Sequence, residues 1–482
     1  MSTLKKIDPI SVPAVENSLA VFDLLPTTVA FNQTYIRELL PLMTVTREGP
    51  YTFRLFSDTK FIDFTKTWFF IKYQIERKEG NDWVALGSGN DAEQKLKDSY
   101  MSVIQNFASS FIKQLKVTIN STLVFDSGNL YPYRSYIATE FGISKAFREG
   151  LLEAGGYFPD EAGEIDVNLS KSFKNRKKYF AGEKPCHAIT RLNFDLANQN
   201  SLFLNNCDII FEIKPQNDTF LLHGPRYPKT TKVAATAQGQ QDTENTVWNP
   251  IGGTYRINIH EVKLYITLVD VVQSLQNQIA RQLEITPAKY PLRKIDLRSL
   301  FLPAGMTNFT WNVFTSIIPR RLMVFIVENK RFDGERDTQP FKFIHGNIQN
   351  IWVEANNMIV PNNPYHLNMY ESDNVMASPV NNTYLRAFID FYTSLDLIDQ
   401  EKAICLSMAK YLDGWTGWVF PLGSSLRDMG DSFELIKNGT TVIKGLFNTP
   451  IPAGGYMLIA VGEFDEVLTV NADRILSVDS AV

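Results

Sequence analysis

Five histidines are the first residues to test for chemistry: His187, His223, His260, His345 and His366. No two lie within five residues of each other, so no His-x-His pair, His-Glu-x-x-His helix or facial triad is spelled out. A duplicated cupin barrel normally takes its metal from a His-x-His pair plus a downstream Glu and His, and nothing here fits. The sequence also lacks a Gly-x-x-x-x-Gly-Lys-Ser/Thr phosphate loop, a Gly-x-Ser-x-Gly elbow and a Cys-x-x-Cys pair. Cys186 precedes His187, but a nucleophile and base must meet in space with the base aimed at sulfur, which adjacency does not provide. The acidic pairs Asp160/Glu161 and Asp465/Glu466 sit at loop-like positions, and a glycosidase pair is defined by a through-space gap that spacing cannot reveal. The reading is a non-enzyme with no cofactor and no metal.

Phosphate recognition is the other chemistry to weigh. The run Lys171-Ser-Phe-Lys-Asn-Arg-Lys-Lys178 supplies Lys171, Lys174, Arg176, Lys177 and Lys178, and Lys5 and Lys6 form a smaller pair near the N-terminus. Both are candidate nucleic-acid or inner-surface contacts, although neither has the interleaved aromatics of a single-strand binder. A solvated loop is the competing reading of the longer run. Overall, 48 Lys plus Arg against 52 Asp plus Glu give a net charge of −4, which excludes a histone-like packer.

The opening Met-Ser-Thr-Leu-Lys-Lys-Ile-Asp-Pro has no apolar core segment, so no secretory signal is expected. Cys186, Cys207 and Cys405 are then expected as plain thiols, and the Asn-x-Ser/Thr triplets at Asn32, Asn120, Asn168, Asn217, Asn308, Asn381 and Asn438 as turn vocabulary. No apolar run reaches the ~18 residues of a membrane helix.

The elements that would position any site are mostly strands. Thr52–Phe56, Thr67–Ile75, Leu115–Phe125 (a hairpin), Cys207–Ile213, Tyr255–Leu268, Leu322–Val327, Ile351–Glu354, Ala387–Tyr392, Ser432–Ile436 and Gly455–Val461 alternate or run apolar between Pro-, Gly-, Asn- and Asp-rich connections. Helices are predicted over Ala92–Phe107, Asp270–Glu284 and within Leu395–Tyr411. The 33 Phe, 19 Tyr and 7 Trp are read as core and interface packing in preference to a carbohydrate platform. A weak repeat links Val117, Asn120, Leu123 and Val124 to Val353, Asn356, Ile359 and Val360, an offset of 236 residues. Each copy is a strand–Asn-turn–strand unit followed by a Pro-Tyr step, which suggests a duplicated β domain.

Two blocks of the first half carry a resemblance. Gly49-Pro-Tyr-Thr-Phe-Arg-Leu-Phe56 with Thr67-Trp-Phe-Phe-Ile-Lys-Tyr-Gln-Ile75 is one. Asn106-Phe-Ala-Ser-Ser-Phe-Ile-Lys-Gln-Leu-Lys-Val-Thr-Ile-Asn120, continuing to Tyr131-Pro-Tyr-Arg-Ser-Tyr-Ile137, is the other. The second half adds Arg320–Val327, Pro340-Phe-Lys-Phe343 and Ile348–Pro361. Together they resemble the double jelly-roll major capsid proteins of Polinton (Maverick) elements and adintoviruses. Tyr131, Pro132, Tyr133 and Arg134, with Asn356 and Asn357, form the family-like structural motif. The resemblance implies an all-β fold of two tandem eight-stranded jelly rolls with a few short helices. The expected division is an N-terminal arm at 1–34, a first jelly roll at 35–269, a linker helix at 270–290, and a second jelly roll with C-terminal tail at 291–482.

The same resemblance implies a structural role in a virion capsid, with synthesis in the host cytoplasm. Homotrimers would form pseudo-hexameric capsomers tiling an icosahedral shell around double-stranded DNA. The implied partners are the chain itself, penton and minor capsid proteins, and packaged DNA without sequence specificity, with no direct membrane span. The long connections 142–185, 214–254 and 362–383 exceed the ~12–15 residues of ordinary loops and are expected to build a tower, clasp neighbours or cover gaps. Two alternatives stand: a β-sandwich carbohydrate-binding or carbohydrate-active protein, and a domesticated capsid-like host protein.

Overall fold

The computed structural model describes residues 27–167, 169–233, 243–356, 358–369, 383–397, 404–423, 433 and 435–479, with Ile10 and Ser18. Lys5, Lys6 and Asn357 lie outside the described residues.

Eight strands build the first barrel: β1 Phe31–Leu39, β2 Tyr51–Phe56, β3 Phe61–Glu79, β4 Ile112–Ile119, β5 Thr122–Asp126, β6 Cys186–Arg191, β7 Asp208–Pro215 and β8 Tyr255–Val271, with shorter strands such as Asp82–Ala85 added in the connections. Eight more build the second barrel: β9 Ala288–Leu302, β10 Asn308–Phe314, β11 Arg321–Glu328, β12 Ile348–Ala355, β13 Met358–Val360, β14 Gly417–Pro421, β15 Thr441–Phe447 and β16 Tyr456–Val470, on which the short strand Leu476–Asp479 also pairs. The first half pairs as β1-β8-β3-β6 and β2-β7-β4-β5. The second pairs as β9-β16-β11-β14 and β10-β15-β12-β13. The two orders are the same with every strand number raised by eight, and all these ladders are antiparallel. This is a double jelly roll, in which paired sheets leave few strand edges open.

Strand chemistry explains the sheets. In β3, Phe69, Ile71, Tyr73 and Ile75 are fully buried while Trp68, Phe70, Lys72 and Gln74 are partly exposed, the period of two that a one-sided sheet demands. In β11, Arg321–Val327 is buried throughout because helices cover its outer face, so it reads as a continuous apolar run.

The weak repeat has a structural counterpart. The β4–β5 and β12–β13 hairpins hold the same place in their sheets. Asn120 and Asn356 both take positive φ, 47° and 43°, a conformation Asn tolerates better than most residues. Each side chain also ties its hairpin to the connection that enters the next strand over. The Asn120 Oδ1 accepts from the Asp208 N–H at 2.8 Å, and the Asn356 Nδ2 donates to the Asn438 carbonyl at 2.6 Å.

Helices fill the long connections: α1 Ala92–Ser99, α2 Tyr131–Gly142, α3 Lys171–Phe180, α4 Gln273–Ile285 and α5 Leu385–Ser394. Several sequence expectations change. Ala387–Tyr392 is helical in α5, because Ala387 and Phe391 share a buried side four residues apart. The helix expected over Ala92–Phe107 ends at Ser99, and among the described residues of Leu395–Tyr411 helix begins at Met408. Phe433, Leu435 and Ile436 carry no strand. Connection 142–185 folds into helices, and 214–254 carries a hairpin of Arg226–Val233 with Thr243–Pro250. Strand β1 starts at Phe31, inside the segment read as an arm, since Phe31 already pairs with Val271.

Candidate functional site: the joint between the barrels

Helix α2 follows Leu130 with Pro132 in its first turn, where a missing N–H costs nothing. Almost all of it is buried, including Tyr131, Tyr133, Arg134, Tyr136, Ile137, Glu140 and Phe141. An ordinary surface helix has one polar face; α2 has none because it is wedged between the two barrels.

Each residue of the Tyr-Pro-Tyr-Arg block has a task there. The Tyr131 hydroxyl accepts from the Asn193 N–H at 2.9 Å. The Tyr133 hydroxyl donates to the Pro340 carbonyl at 3.3 Å, and its ring stacks on Phe332 at 5.2 Å. Tyr136 stacks on Phe341 at 4.3 Å, and Phe141 on Phe325 at 5.4 Å. Burial pushes the Tyr131 phenol up to about 12 and those of Tyr133 and Tyr136 well above their usual range, so all three stay protonated. Arg134 is the centre: one guanidinium nitrogen meets Asp195 at 2.6 Å and another donates to the Ile295 carbonyl at 2.6 Å. The Ile295 N–H in turn points at Asp195, 3.4 Å away. One arginine thereby pins strand β9 of the second barrel to the first.

Two further polar clusters cross the joint. Glu140 pairs with Arg148 at 2.7 Å and accepts from the Tyr157 hydroxyl at 2.6 Å and the Trp415 indole at 3.1 Å. Arg148 also donates to the Ile404 carbonyl at 2.5 Å. In the other cluster, Arg331 forms a two-pronged pair with Asp166, both contacts 2.9 Å, and reaches Glu328 at 2.8 Å. Asp166 also accepts from the Gln339 N–H. The Gln339 side chain accepts from the Gln105 N–H at 3.3 Å and turns its NH2 toward His223 Nδ1 at 3.0 Å. His223 is fully buried, and desolvation with Arg176 nearby lowers its pKa to about 3.

The basic run is a helix and not a loop: α3, capped by Ser170, whose hydroxyl accepts from the Phe173 N–H. Arg176 is completely buried and faces Asp160 at 3.3 Å, so its charge is used inside the fold. Lys177 donates to the Asp98 carbonyl at 2.8 Å, and burial lowers it to about 8. Lys171, Lys174 and Lys178 are exposed. Helix α3 packs on the β3–β4 connection. The chain enters β1 at the other end of the barrel, where β3 begins, because Phe31 lies beside Val271 and Phe61 beside Val269. The exposed lysines and the entry to β1 are thus at opposite ends. Among the described residues, no group of three or more His, Cys, Asp or Glu side chains is placed to hold a metal, and no helix is long and apolar enough to cross a membrane.

The sequence pointed to the Tyr131–Arg134 block but missed Glu140, Arg148, Asp166, His223, Arg331, Gln339 and Trp415. Only the lone charges of Arg134 and Glu140 in an aromatic helix hinted at buried pairing.

No family model matches the chain. An uncharacterized protein of Caenorhabditis elegans is 24% identical over 442 residues, covering 90% of this chain and 94% of that one. The fold is similar to the Sputnik virophage structure, with a TM-score of 0.60 and 12% identity over 100% of this chain and 96% of that one. It is also similar to the mavirus major capsid protein, at 0.51 and 10% over 99% and 97%. The Faustovirus major capsid protein scores 0.51, with 9% identity over 96% and 93%. At these identities the likeness establishes the double jelly-roll fold of major capsid proteins.

Proposed function

We propose that this chain is a structural major capsid protein of the Polinton and adintovirus type. Three copies form a pseudo-hexameric capsomer, and capsomers tile an icosahedral shell around double-stranded DNA. The observation that carries this reading is the pair of barrels with the same strand order, held side by side by polar contacts from Arg134 to Ile295, Arg148 to Ile404, Trp415 to Glu140 and Arg331 to Asp166. A rigid pair gives a threefold axis six similar walls, the outline a hexagonal net requires. A hinged pair would not hold that outline.

The division into arm, first barrel, linker helix and second barrel follows from the same reading. Only one end of a barrel can face an enclosed genome. We assign the end where β1 begins to that side, so the Lys5 and Lys6 arm meets DNA without sequence specificity. The exposed Lys171, Lys174 and Lys178 of α3 then serve the opposite side. Penton and minor capsid proteins complete the shell. A second reading, a capsid-like protein kept by an animal host, is favoured by the nematode relative.

Light scattering on the purified chain tests the assembly. The expected mass is about three times the 54.8 kDa of one chain. A single-chain mass at micromolar concentration would favour the carbohydrate-binding alternative.

A further inference from the structure

Among the described residues, several buried side-chain atoms have no hydrogen-bond partner, and four of them belong to one place: Arg176 Nε and Nη2, His223 Nε2 and the Ser102 hydroxyl. Arg176, His223 and Ser102 are each 0% exposed. Ser102 and His223 are register partners in the short antiparallel ladder of Ser102–Val103 with Leu222–His223, so their side chains rise from the same side of it. Helix α3 packs across that ladder. The Phe173 ring meets the His223 ring edge-on at 5.6 Å, and Arg176 lies three residues further along α3, on the same helix face. Arg176 is close enough for its charge to act on His223.

The chemistry of the four atoms is one-sided. Nε–H and Nη2–H are the two parallel donors of a guanidinium, the edge that grips a carboxylate or phosphate. Arg176 spends only Nη1 on protein acceptors, Asp160 Oδ1 and Gln105 Oε1, both at 3.3 Å. The His223 proton is placed by its neighbours. Gln339 Oε1 accepts from the Gln105 N–H, so the Gln339 NH2 faces His223 Nδ1 at 3.0 Å. Nδ1 therefore accepts, and the proton sits on Nε2. The Ser102 hydroxyl can donate as well. Three fixed N–H donors and a hydroxyl thus lack an acceptor, and a buried donor left unmade keeps its full desolvation cost. A water molecule has two lone pairs and brings two protons of its own, so it meets three N–H donors incompletely. A monatomic anion accepts from every side and needs no acceptor in return.

We infer that one small inorganic anion, of chloride size, is held where α3 crosses the Ser102–His223 ladder, by the Arg176 fork, the His223 Nε2–H and the Ser102 hydroxyl. Asp160 competes for the Arg176 charge, and Ser172 donates to the same Asp160 oxygen. Burial raises the Asp160 pKa, so this carboxyl yields its claim on Arg176 by taking a proton, which leaves the occupied cluster neutral. The site lies behind Gln339, the second-barrel residue that His223 holds. The anion fixes the tautomer on which that contact between the barrels depends. It needs no second chain and stands apart from the assembly reading.

The test uses the full chain. Melting is followed in sodium chloride and in sodium gluconate, whose anion is too large for a buried site, at equal ionic strength. Chloride is expected to raise the melting temperature by about 2–4 °C for each tenfold increase above its dissociation constant, an increment absent in gluconate. Arg176→Gln removes the fork but also breaks the Asp160 pair, so the deciding variant is Ser102→Ala. That change removes one donor and no protein contact. Its melting in gluconate is expected to match wild type while its chloride affinity falls about tenfold. Crystals grown in sodium bromide are expected to show an anomalous peak within hydrogen-bonding reach of Arg176 Nη2 and His223 Nε2. Identical melting in the two salts, a chloride response that Ser102→Ala leaves intact, or an ordered water alone at that place would overturn the site. None of these outcomes bears on the capsid reading, which the three-chain mass tests.

Discussion

Replacing Arg134 with alanine is expected to cost about 3–5 kcal/mol, the range for removing one partner of a buried ion pair. The side chains of Arg134 and Asp195 are 2% and 9% exposed, so the orphaned carboxylate cannot recover its hydration. The loss includes the bond to the Ile295 carbonyl and the guanidinium placed over Phe125 at 4.8 Å. Arg134→Lys is expected to rescue little, because one ammonium cannot take up the two-pronged position between Asp195 and strand β9. Urea unfolding followed by tryptophan fluorescence and by circular dichroism measures both variants. The account expects a lower midpoint and, because Arg134 joins two cores, a transition that splits into two. An unchanged single transition would mean that Arg134 does not join the barrels.

Acid is expected to weaken the same joint through His223. Its pKa is lowered in the folded chain to about 3 from the ordinary 6.5. As pH falls below 6.5 the unfolded chain takes the proton first, so stability is fully present above that value and drains away toward pH 3. The loss reaches about 2 kcal/mol at pH 5. The groups that set this are burial, then Arg176, with Asp166 acting in the opposite sense and Arg331 with Arg176. His345 is lowered by burial as well and adds in the same direction. Ordinary carboxylates titrate at about pH 4, so the range from pH 7 to pH 5 isolates the histidine contribution. His223→Gln is therefore expected to flatten the stability profile between pH 7 and pH 5, measured by urea titrations at each pH. Equal slopes for the variant and the wild type would contradict the assignment.

The fold was legible because strands announce themselves locally. The alternation in Thr67–Ile75 and the Asn turns at Asn120 and Asn356 depend on neighbours a few residues away. The short helices were harder. Ala387–Tyr392 alternates like a strand, and its helical face shows only when packing against β14 selects it. The joint was the least legible part. Glu140 and Trp415 are 275 residues apart in sequence, and Gln105 and Gln339 are 234 apart. No periodicity connects such pairs. Arg176 was misleading for the same reason: in a run with four lysines it reads as solvent-facing, and only tertiary placement shows that it is buried against Asp160.

The central proposal is that two barrels locked in one chain supply two of the six walls of a three-chain capsomer. Electron microscopy of the purified full-length chain tests it most directly. The account predicts particles with a hexagonal outline built from three chains, and their arrays or shells at higher concentration. Single two-barrel particles at every concentration would contradict it.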